Sequence, residues 1–399
     1  MTAREMLPGI FEVGAIDWDR RLFDELIPLP DGTSYNSYLI RGSEKTLLID
    51  TVDPPFAGTL FGHLDGLGVR SIDYVVANHA EQDHSGTLGT LLARYPMARV
   101  VTNAKCRDML KDLLLIPEER FLVIQDREKL SLGDRTVEFL ITPWVHWPET
   151  MVTYLHGDGV LFSCDFFGSH YAASELFTEG NPAVYGAAKR YYAEIMMPFR
   201  SSVQENLRKI APLDIRIIAP SHGPVYRNPE FILSGYRDWV SDRVENRVVI
   251  PWVSMHGSTA AMVRHLTDAL VSRGIPVQPF NLTVSDTGEL AKALVDAATL
   301  VVATPTTLFS PHPKAMYAVI LVNLLRPKTR WVTVIGSYGW GGKTLQIVKE
   351  NLPHLKAELL EPVMVKGYPK KEDLAALDRL ADAIAGRHRT LGAPAGGGS

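Results

Sequence analysis

The amino-acid sequence predicts an α/β protein in two parts: an N-terminal αββα sandwich over residues 1–246 and a C-terminal doubly wound parallel sheet over residues 247–390. Two observations predict it. Two apolar strands that each end in an acid, Leu47–Asp50 and Gly159–Asp165, are separated by further strands and helices, which suggests two similar αβ halves with helices outside. From about Asn246 the pattern becomes a regular alternation of strand and helix, which means a parallel sheet.

Residues 1 to about 45 read as short antiparallel strands and turns, with turn chemistry at Pro28–Gly32 and a strand at Ser37–Ile40. Phe56–Leu67 has helical spacing, and Tyr74–Ala77 is a short apolar strand that breaks into His79, Glu81, Asp83 and His84. Thr87–Arg94 and Cys106–Leu115 read as helices, Arg99–Thr102 and Phe121–Gln125 as strands, and Leu130–Thr142 as a hairpin. Past Asp165, helices are expected at Ala183–Arg190, Ser202–Ile210 and Pro229–Val240, and Ile215–His222 is a strand followed by a turn. The second part alternates strands at 248–253, 276–281, 299–304, 330–337 and 359–365 with helices at 258–273, 289–297, 313–325, 343–352 and 371–385. The tail over 391–399, rich in Gly, Ala and Pro, reads as disordered.

Composition narrows the function. Apolar content of 46% with 22% charged residues describes an ordinary globular chain, and a formal charge of −4 without a basic tract argues against nucleic acid as a partner. The first residues lack the apolar core of a signal peptide, and the apolar run at Ala315–Leu325 is too short to span a bilayer, so a cytoplasmic protein is expected. Cys106 and Cys164 form no Cys-x-x-Cys pair; a disulfide framework, a zinc ribbon and a cysteine-ligated cluster are excluded, and both thiols are expected to be small buried residues.

The chemistry concentrates at strand ends. His79, Glu81 and Asp83 sit at i, i+2 and i+4, so an extended backbone would project them to one side, with His84 beside them. Such a cluster is costly to bury without a positive charge at its centre, which a divalent metal supplies; the bland alternative is a solvated loop. His146, between Pro143 and Pro148, Asp165 and His222 lie at further strand ends, where one sheet edge could gather them. In the second part, Ser254-Met-His-Gly-Ser-Thr259 joins hydroxyls and a glycine to a helix start, a neutral phosphate cradle. Neither Gly-Lys-Ser/Thr nor Gly-x-Gly-x-x-Gly is present, against a nucleoside triphosphate or a dinucleotide. The loops Ala303–Phe309 and Gly336–Gly342 end the third and fourth strands, where ligands of such sheets bind.

These residues carry a family resemblance. His79-x-Glu81-x-Asp83-His84 with His146, Asp165 and His222 resembles the metallo-β-lactamase fold in its flavodiiron variant. The likeness extends to Leu26–Asn36, His146-Trp-Pro148, Asp165–His170 and Tyr191–Pro198. Zinc hydrolases of the fold usually show His-x-His-x-Asp-His; Glu81 in place of the second histidine suits a harder metal such as iron. The resemblance implies two irons bridged by Asp165, one held by His79, Glu81 and His146, the other by Asp83, His84 and His222. Members differ in whether the residue at His84 coordinates. His170 and one of Tyr191 and Tyr192, with Tyr192 the choice, could serve as proton donors or merely pack the core. The second part resembles flavodoxins, which implies FMN: Ser254, Met255, His256, Gly257, Ser258 and Thr259 at the phosphate end, and Pro305, Thr306, Thr307, Leu308, Ser337, Tyr338, Gly339, Trp340 and Gly341 flanking the ring. His256 stands where an aromatic is more usual, which leaves Trp340 as the expected stacking partner, or else as a loop anchor.

The implied activity is an oxidoreductase in which FMN relays electrons from an external donor to a diiron site that reduces O2 to water, NO to N2O, or both. A rubredoxin, a reductase or a reduced deazaflavin are the donors to consider. Two units in series need not place FMN beside the irons of the same chain, so a head-to-tail homodimer, or a dimer of such dimers, is expected. Two rivals stay open: a zinc hydrolase with a flavodoxin passenger, and a non-catalytic electron-transfer flavoprotein.

Overall fold

The structure, a computed structural model, describes residues 2–391 except Asp24 and Glu179. The expected tail lies outside the described residues from Gly392 onward. Contacts group the chain into two units: residues 1–192 with 199–240, and residues 193–198 with everything from Ser241.

The first unit contains two seven-stranded sheets. One runs Arg4–Leu7, Ile10–Glu12, Tyr38–Arg41, Thr46–Ile49, Tyr74–Val76, Arg99–Asn103, Phe121–Ile124 in spatial order. The other runs Lys129–Ser131, Thr136–Ile141, Met151–Leu155, Val160–Cys164, Ile217–Pro220, Val225–Tyr226, Phe177–Thr178. Strand periodicity of two decides what each face meets. Ile40, Leu47, Ile49 and Val76 pack with Phe139, Leu155, Phe162 and Ala219 of the second sheet. Their neighbours Leu39, Leu48 and Val75 point the other way, onto Leu60, Leu64, Leu91 and Leu110 of the helices. Central strands buried on both faces read as continuous apolar runs, which is why they stood out in the sequence. Met151–Leu155, which completes the second sheet antiparallel to both its neighbours, was not among the expected strands.

Parallel pairing aligns the carboxyl ends that matter. Thr46–Ile49 pairs with Tyr74–Val76, and Val160–Cys164 with Ile217–Pro220. One expectation is corrected here. The segment after Tyr74–Val76 is not extended throughout: Gln82–Ser85 is a helical turn entered from Glu81 in extended conformation. His79, Glu81 and Asp83 therefore do not share one side of a strand; the turn redirects Asp83 and His84, about 100° per residue, to a second focus.

The second unit is a parallel sheet. Val277–Asn281, Glu245–Trp252, Ala297–Thr307, Trp331–Tyr338 and Val363–Lys366 follow in that spatial order, with Glu358–Leu359 a short extra pairing on Trp331–Tyr338. In chain order this is 2-1-3-4-5, the flavodoxin-like arrangement with its ligand site at the switch between the first and third strands. The expected strand 359–365 is split in two, with Pro362, which has no N–H to offer a ladder, in the gap.

The last helix, Lys371–His388, closes this unit and brings a pH dependence. His388 is buried, with Nδ1 2.7 Å from Asn246 Oδ1 and Nε2 2.7 Å from Thr299 Oγ1. Burial pushes its imidazole down to about 4. An unfolded histidine titrates near ~6.5, so as pH falls below that value the unfolded chain takes up a proton the folded one refuses, and stability declines toward about pH 4. His388→Gln is expected to flatten the fall in urea midpoint between these pH values; equal slopes in the two proteins would refute it.

Candidate functional site

The loops that carry the cluster are fixed from behind. Asn78 donates its N–H and Nδ2 to the Asp50 carboxylate at 2.8 and 2.9 Å, and Thr153 Oγ1 donates to Asn78 Oδ1 at 2.9 Å. The first strand-to-acid element therefore ends in an anchor for the His79 loop, whereas the second ends in Asp165, which faces the cluster. Burial, outweighing the nearby imidazoles and the Asn78 bonds, pushes the Asp50 carboxyl up to about 6.

Four donors converge at one focus. His79 Nε2 lies 3.1 Å from Glu81 Oε2 and 3.4 Å from Asp165 Oδ2, and His146 Nε2 lies 3.2 and 3.3 Å from the same two oxygens. The second focus repeats the pattern. His84 Nε2 is 3.3 Å from Asp83 Oδ1 and 3.0 Å from Asp165 Oδ1; His222 Nε2 is 3.2 Å from Asp83 Oδ2 and 3.4 Å from Asp165 Oδ1. The two oxygens of Asp165 are thus divided between the foci. All seven residues singled out in the sequence are brought together.

The electrostatics are those of a site made for cations. Burial alone would push His79 down, but hydrogen bonds to Glu149 and Glu81 and the charge of Asp165 lift it to about 10. His84 and His146 are lifted to about 10 against the same burial cost, by Asp83 and Asp165 and by Asp165 and Glu81 respectively. Burial would raise Asp165, yet the surrounding imidazoles, His84 foremost, hold its carboxyl well below the usual range.

Both oxygens of Asp83, both of Asp165, and Nε2 of His84 and His146 are buried without a hydrogen-bond partner. Leaving such groups unsatisfied is costly, and a cation at each focus would satisfy them together. Three carboxylates with four imidazoles form a hard, oxygen-rich set that fits iron. The Cys164 thiol lies near His84 and Asp165, but burial and then the charges of Asp50 and Asp165 push it well up, so it stays a thiol. Cys106 is likewise buried and pushed up.

Two histidines have their tautomers set by what lies behind them. His222 Nδ1 donates to the Ser34 carbonyl at 2.7 Å, which turns the Nε2 lone pair to the cluster. His79 Nδ1 is 2.7 Å from Glu149 Oε1. Glu149 was missed in the sequence; its signal was a carboxylate three residues past His146 in the same rigid loop.

Of the expected proton donors, the structure brings His170 and Tyr191 to the cluster and leaves Tyr192 out. The His170 ring lies 4.9 Å from those of His222 and Tyr191, and its Nε2 and the Tyr191 hydroxyl are buried and unpartnered. Burial, with the charge of His222 adding to it, pushes His170 well down and keeps it neutral; burial and the charge of Asp165 push Tyr191 well up. Tyr192 instead packs on Tyr236 and Trp239 and donates to the Trp239 carbonyl at 3.4 Å. One helical step of about 100° separates the two hydroxyls.

In the second unit a cleft of about 210 Å3 opens at the carboxyl ends of the strands, lined by Ser254, Met255, His256, Ser258, Pro305, Thr306, Ser337, Tyr338, Gly339 and Gly367. Gly257 takes φ 88° and starts the helix Ser258–Val271, whose cap makes no side-chain hydrogen bond. The first N–H groups of that helix are left for an anion, as a phosphate requires. Thr259 is buried with its hydroxyl 3.1 Å from that of Ser337, and Thr307 Oγ1 meets Met255 Sδ at 3.1 Å. Leu308, Trp340 and Gly341 do not line the cleft; Trp340 is 68% exposed and packs edge-on against Phe309. Gly367 is the lining residue that sequence reasoning missed.

A two-sheet unit with a dinuclear site, followed by a flavodoxin-like unit with an anion cradle, defines a class of metal- and flavin-binding oxidoreductases. Residues 33–223 match the family model described as ODP family beta lactamase. The chain is 36% identical to the type A flavoprotein fprA of Rhodobacter capsulatus, covering 95% of this chain and 91% of that one. It is 35% identical to a nitric oxide reductase of Moorella thermoacetica, covering 95% and 97%. Among solved structures, rubredoxin oxygen:oxidoreductase from the anaerobe Desulfovibrio gigas superposes with a TM-score of 0.94 at 30% identity, covering 98% of this chain and 100% of that one. The chain belongs to the flavodiiron, or type A flavoprotein, family. Membership implies FMN and a diiron centre, and the residues present fit both. No helix among the described residues is long and apolar enough to cross a membrane.

Proposed function

We propose that this protein reduces NO to N2O, O2 to water, or both, at a diiron site fed with electrons through FMN. The observation that carries the proposal is the division of Asp165, one oxygen to each of two otherwise matched foci. The names of the relatives from Moorella thermoacetica and Desulfovibrio gigas support the two gases. When bound, the irons supply the redox chemistry and FMN the electrons.

The chain's own residues have definite tasks in this reading. His79, Glu81 and His146 would hold one metal and Asp83, His84 and His222 the other, with one oxygen of Asp165 facing each focus; the inward Nε2 of His84 supports its role as a ligand. Glu149 and the Ser34 carbonyl orient His79 and His222. His170 and Tyr191, buried and neutral, form the wall beside the second focus and keep bulk water from it. The Tyr191 hydroxyl is the proton donor we favour over Tyr192. Ser254 to Thr259 cradle the FMN phosphate, Pro305 and Thr306 with Ser337 to Gly339 flank its ring, and the flavin-binding domain runs from residue 247 to about 390. We further propose a cytoplasmic, head-to-tail homodimer that takes electrons from a separate donor, such as a rubredoxin, a reductase or a reduced deazaflavin.

Metal and flavin analysis of anaerobically purified protein, followed by NO and O2 consumption with a chemically reduced rubredoxin, tests this. About two irons and one FMN per chain with rapid loss of either gas is the expected result. Zinc without iron, with esterase or lactamase activity, would replace it by hydrolysis. Sedimentation that found a fully active monomer would remove the dimer.

A further inference from the structure

The two foci are matched in what faces them: each has two imidazoles, one carboxylate of its own and one oxygen of Asp165. They differ behind the imidazoles. His222 Nδ1 bonds a neutral carbonyl, that of Ser34, and His84 Nδ1 has no partner. His79 Nδ1 bonds the Glu149 carboxylate at 2.7 Å, and no other imidazole of the cluster has a carboxylate on its outer nitrogen among the described residues. Glu149 is fully buried, and no Lys or Arg pairs with it among the described residues. Its Oε1 also accepts the Ala80 N–H at 3.1 Å, while its Oε2 is unpartnered. Its charge therefore acts on His79 with little compensation in a medium of low dielectric.

We infer that Glu149 is a positioning residue that makes the two metal sites unequal. Through His79 it adds negative charge to one focus alone, so the iron held there stays ferric at potentials where its partner is already ferrous. A carboxylate behind a metal-bound histidine fixes the ring and raises its basicity, and both effects favour the more highly charged ion. This inference rests on the diiron reading above.

The test is a redox titration of the iron-loaded holoprotein followed by Mössbauer and EPR spectroscopy, in the native protein and in Glu149→Gln. Glutamine offers the same oxygen to His79 and Ala80, so the variant removes charge while it keeps both hydrogen bonds. The expected native result is a half-reduced state with one ferric and one ferrous site. In Glu149→Gln one of the two one-electron steps should move about tenfold toward ferrous, about 59 mV, while the other stays. Fully loaded variant protein with both steps unmoved would show that Glu149 only tethers the loop, and would overturn this inference alone. Should the variant fail to fold or load iron, the native titration decides: two one-electron steps that coincide, with no more mixed-valence centre at half reduction than a statistical mixture contains, overturn the inference. A native protein that binds no iron overturns the diiron reading and this inference with it.

Discussion

Asp165→Ala is expected to empty both metal foci at once. Asp165 Oδ2 faces His79 and His146, and Oδ1 faces His84 and His222. Removing it takes one donor from each site and leaves two clusters of imidazoles without their shared anion. Loss of a residue that merely supports a ligand already costs about 10–100-fold in metal affinity, so deletion of a ligand shared by two ions should exceed the top of that range. The consequence for stability follows by mass action. A site filled at about 100 times its dissociation constant adds about 2.7 kcal/mol, and the variant forfeits this for both ions. The metal-free variant should also be less stable than the metal-free native protein, because the surrounding imidazoles hold the Asp165 carboxyl well below its usual range and its removal leaves them buried without their anion. Iron analysis and thermal melts with and without added ferrous ion check both statements. Glu81→Ala, which touches one focus, should retain close to one iron per chain. An Asp165→Ala protein that keeps about two irons would show that the foci do not depend on a shared carboxylate.

The candidate ligands stand out in the sequence because His79, Asp165 and His222 each follow an apolar strand, where an ordinary strand would simply turn. What could not be read was which of two similar elements does what. Leu47–Asp50 and Gly159–Asp165 have the same form, yet Asp50 receives two hydrogen bonds from Asn78 and Asp165 faces the foci. That difference is decided by which strands pair in parallel, not by local composition. The turn at Gln82–Ser85 is hidden for a related reason: four residues are too few to show a helical period, so the spacing of His79, Glu81 and Asp83 reads as that of a strand. Tyr191 and Tyr192 are adjacent, and only the phase of the helix Pro182–Tyr191 tells which hydroxyl meets the cluster. Glu149 lies three residues past His146 in the same loop, but its pairing with His79 is set by distance through the fold and not by spacing. In the second unit the parallel sheet followed from the alternation of elements, whereas Trp340, an aromatic in a glycine-rich loop, turns outward beside Phe309.

Gly336→Ala is expected to abolish flavin retention while the metal content stays intact. Gly336 pairs with Thr304 on one side and Met364 on the other, in the middle of the parallel sheet. A Cβ at this position would stand 2.1 Å from the Thr304 carbonyl oxygen, a distance no real contact tolerates, and would press on Met364 Cε at 3.3 Å. The obstacle is backbone within a ladder, so relief requires the strands Ala297–Thr307 and Trp331–Tyr338 to part. Overpacking a closed core typically costs about 1–3 kcal/mol, and a backbone clash belongs at or above the upper end. The same two strands continue directly into Pro305 and Thr306, and into Ser337 and Tyr338, which line the cleft. A shift of either strand therefore reaches the flavin before it reaches the rest of the unit. Flavin per chain, from absorbance after gel filtration, should fall well below that of the native protein, and the melting temperature followed by flavin release should drop. Iron per chain should not change, since all seven proposed ligands lie in the first unit. Native flavin content in Gly336→Ala would show that the ladder at Thr304 yields without disturbing the cleft, and loss of iron together with flavin would point to failure of the whole chain.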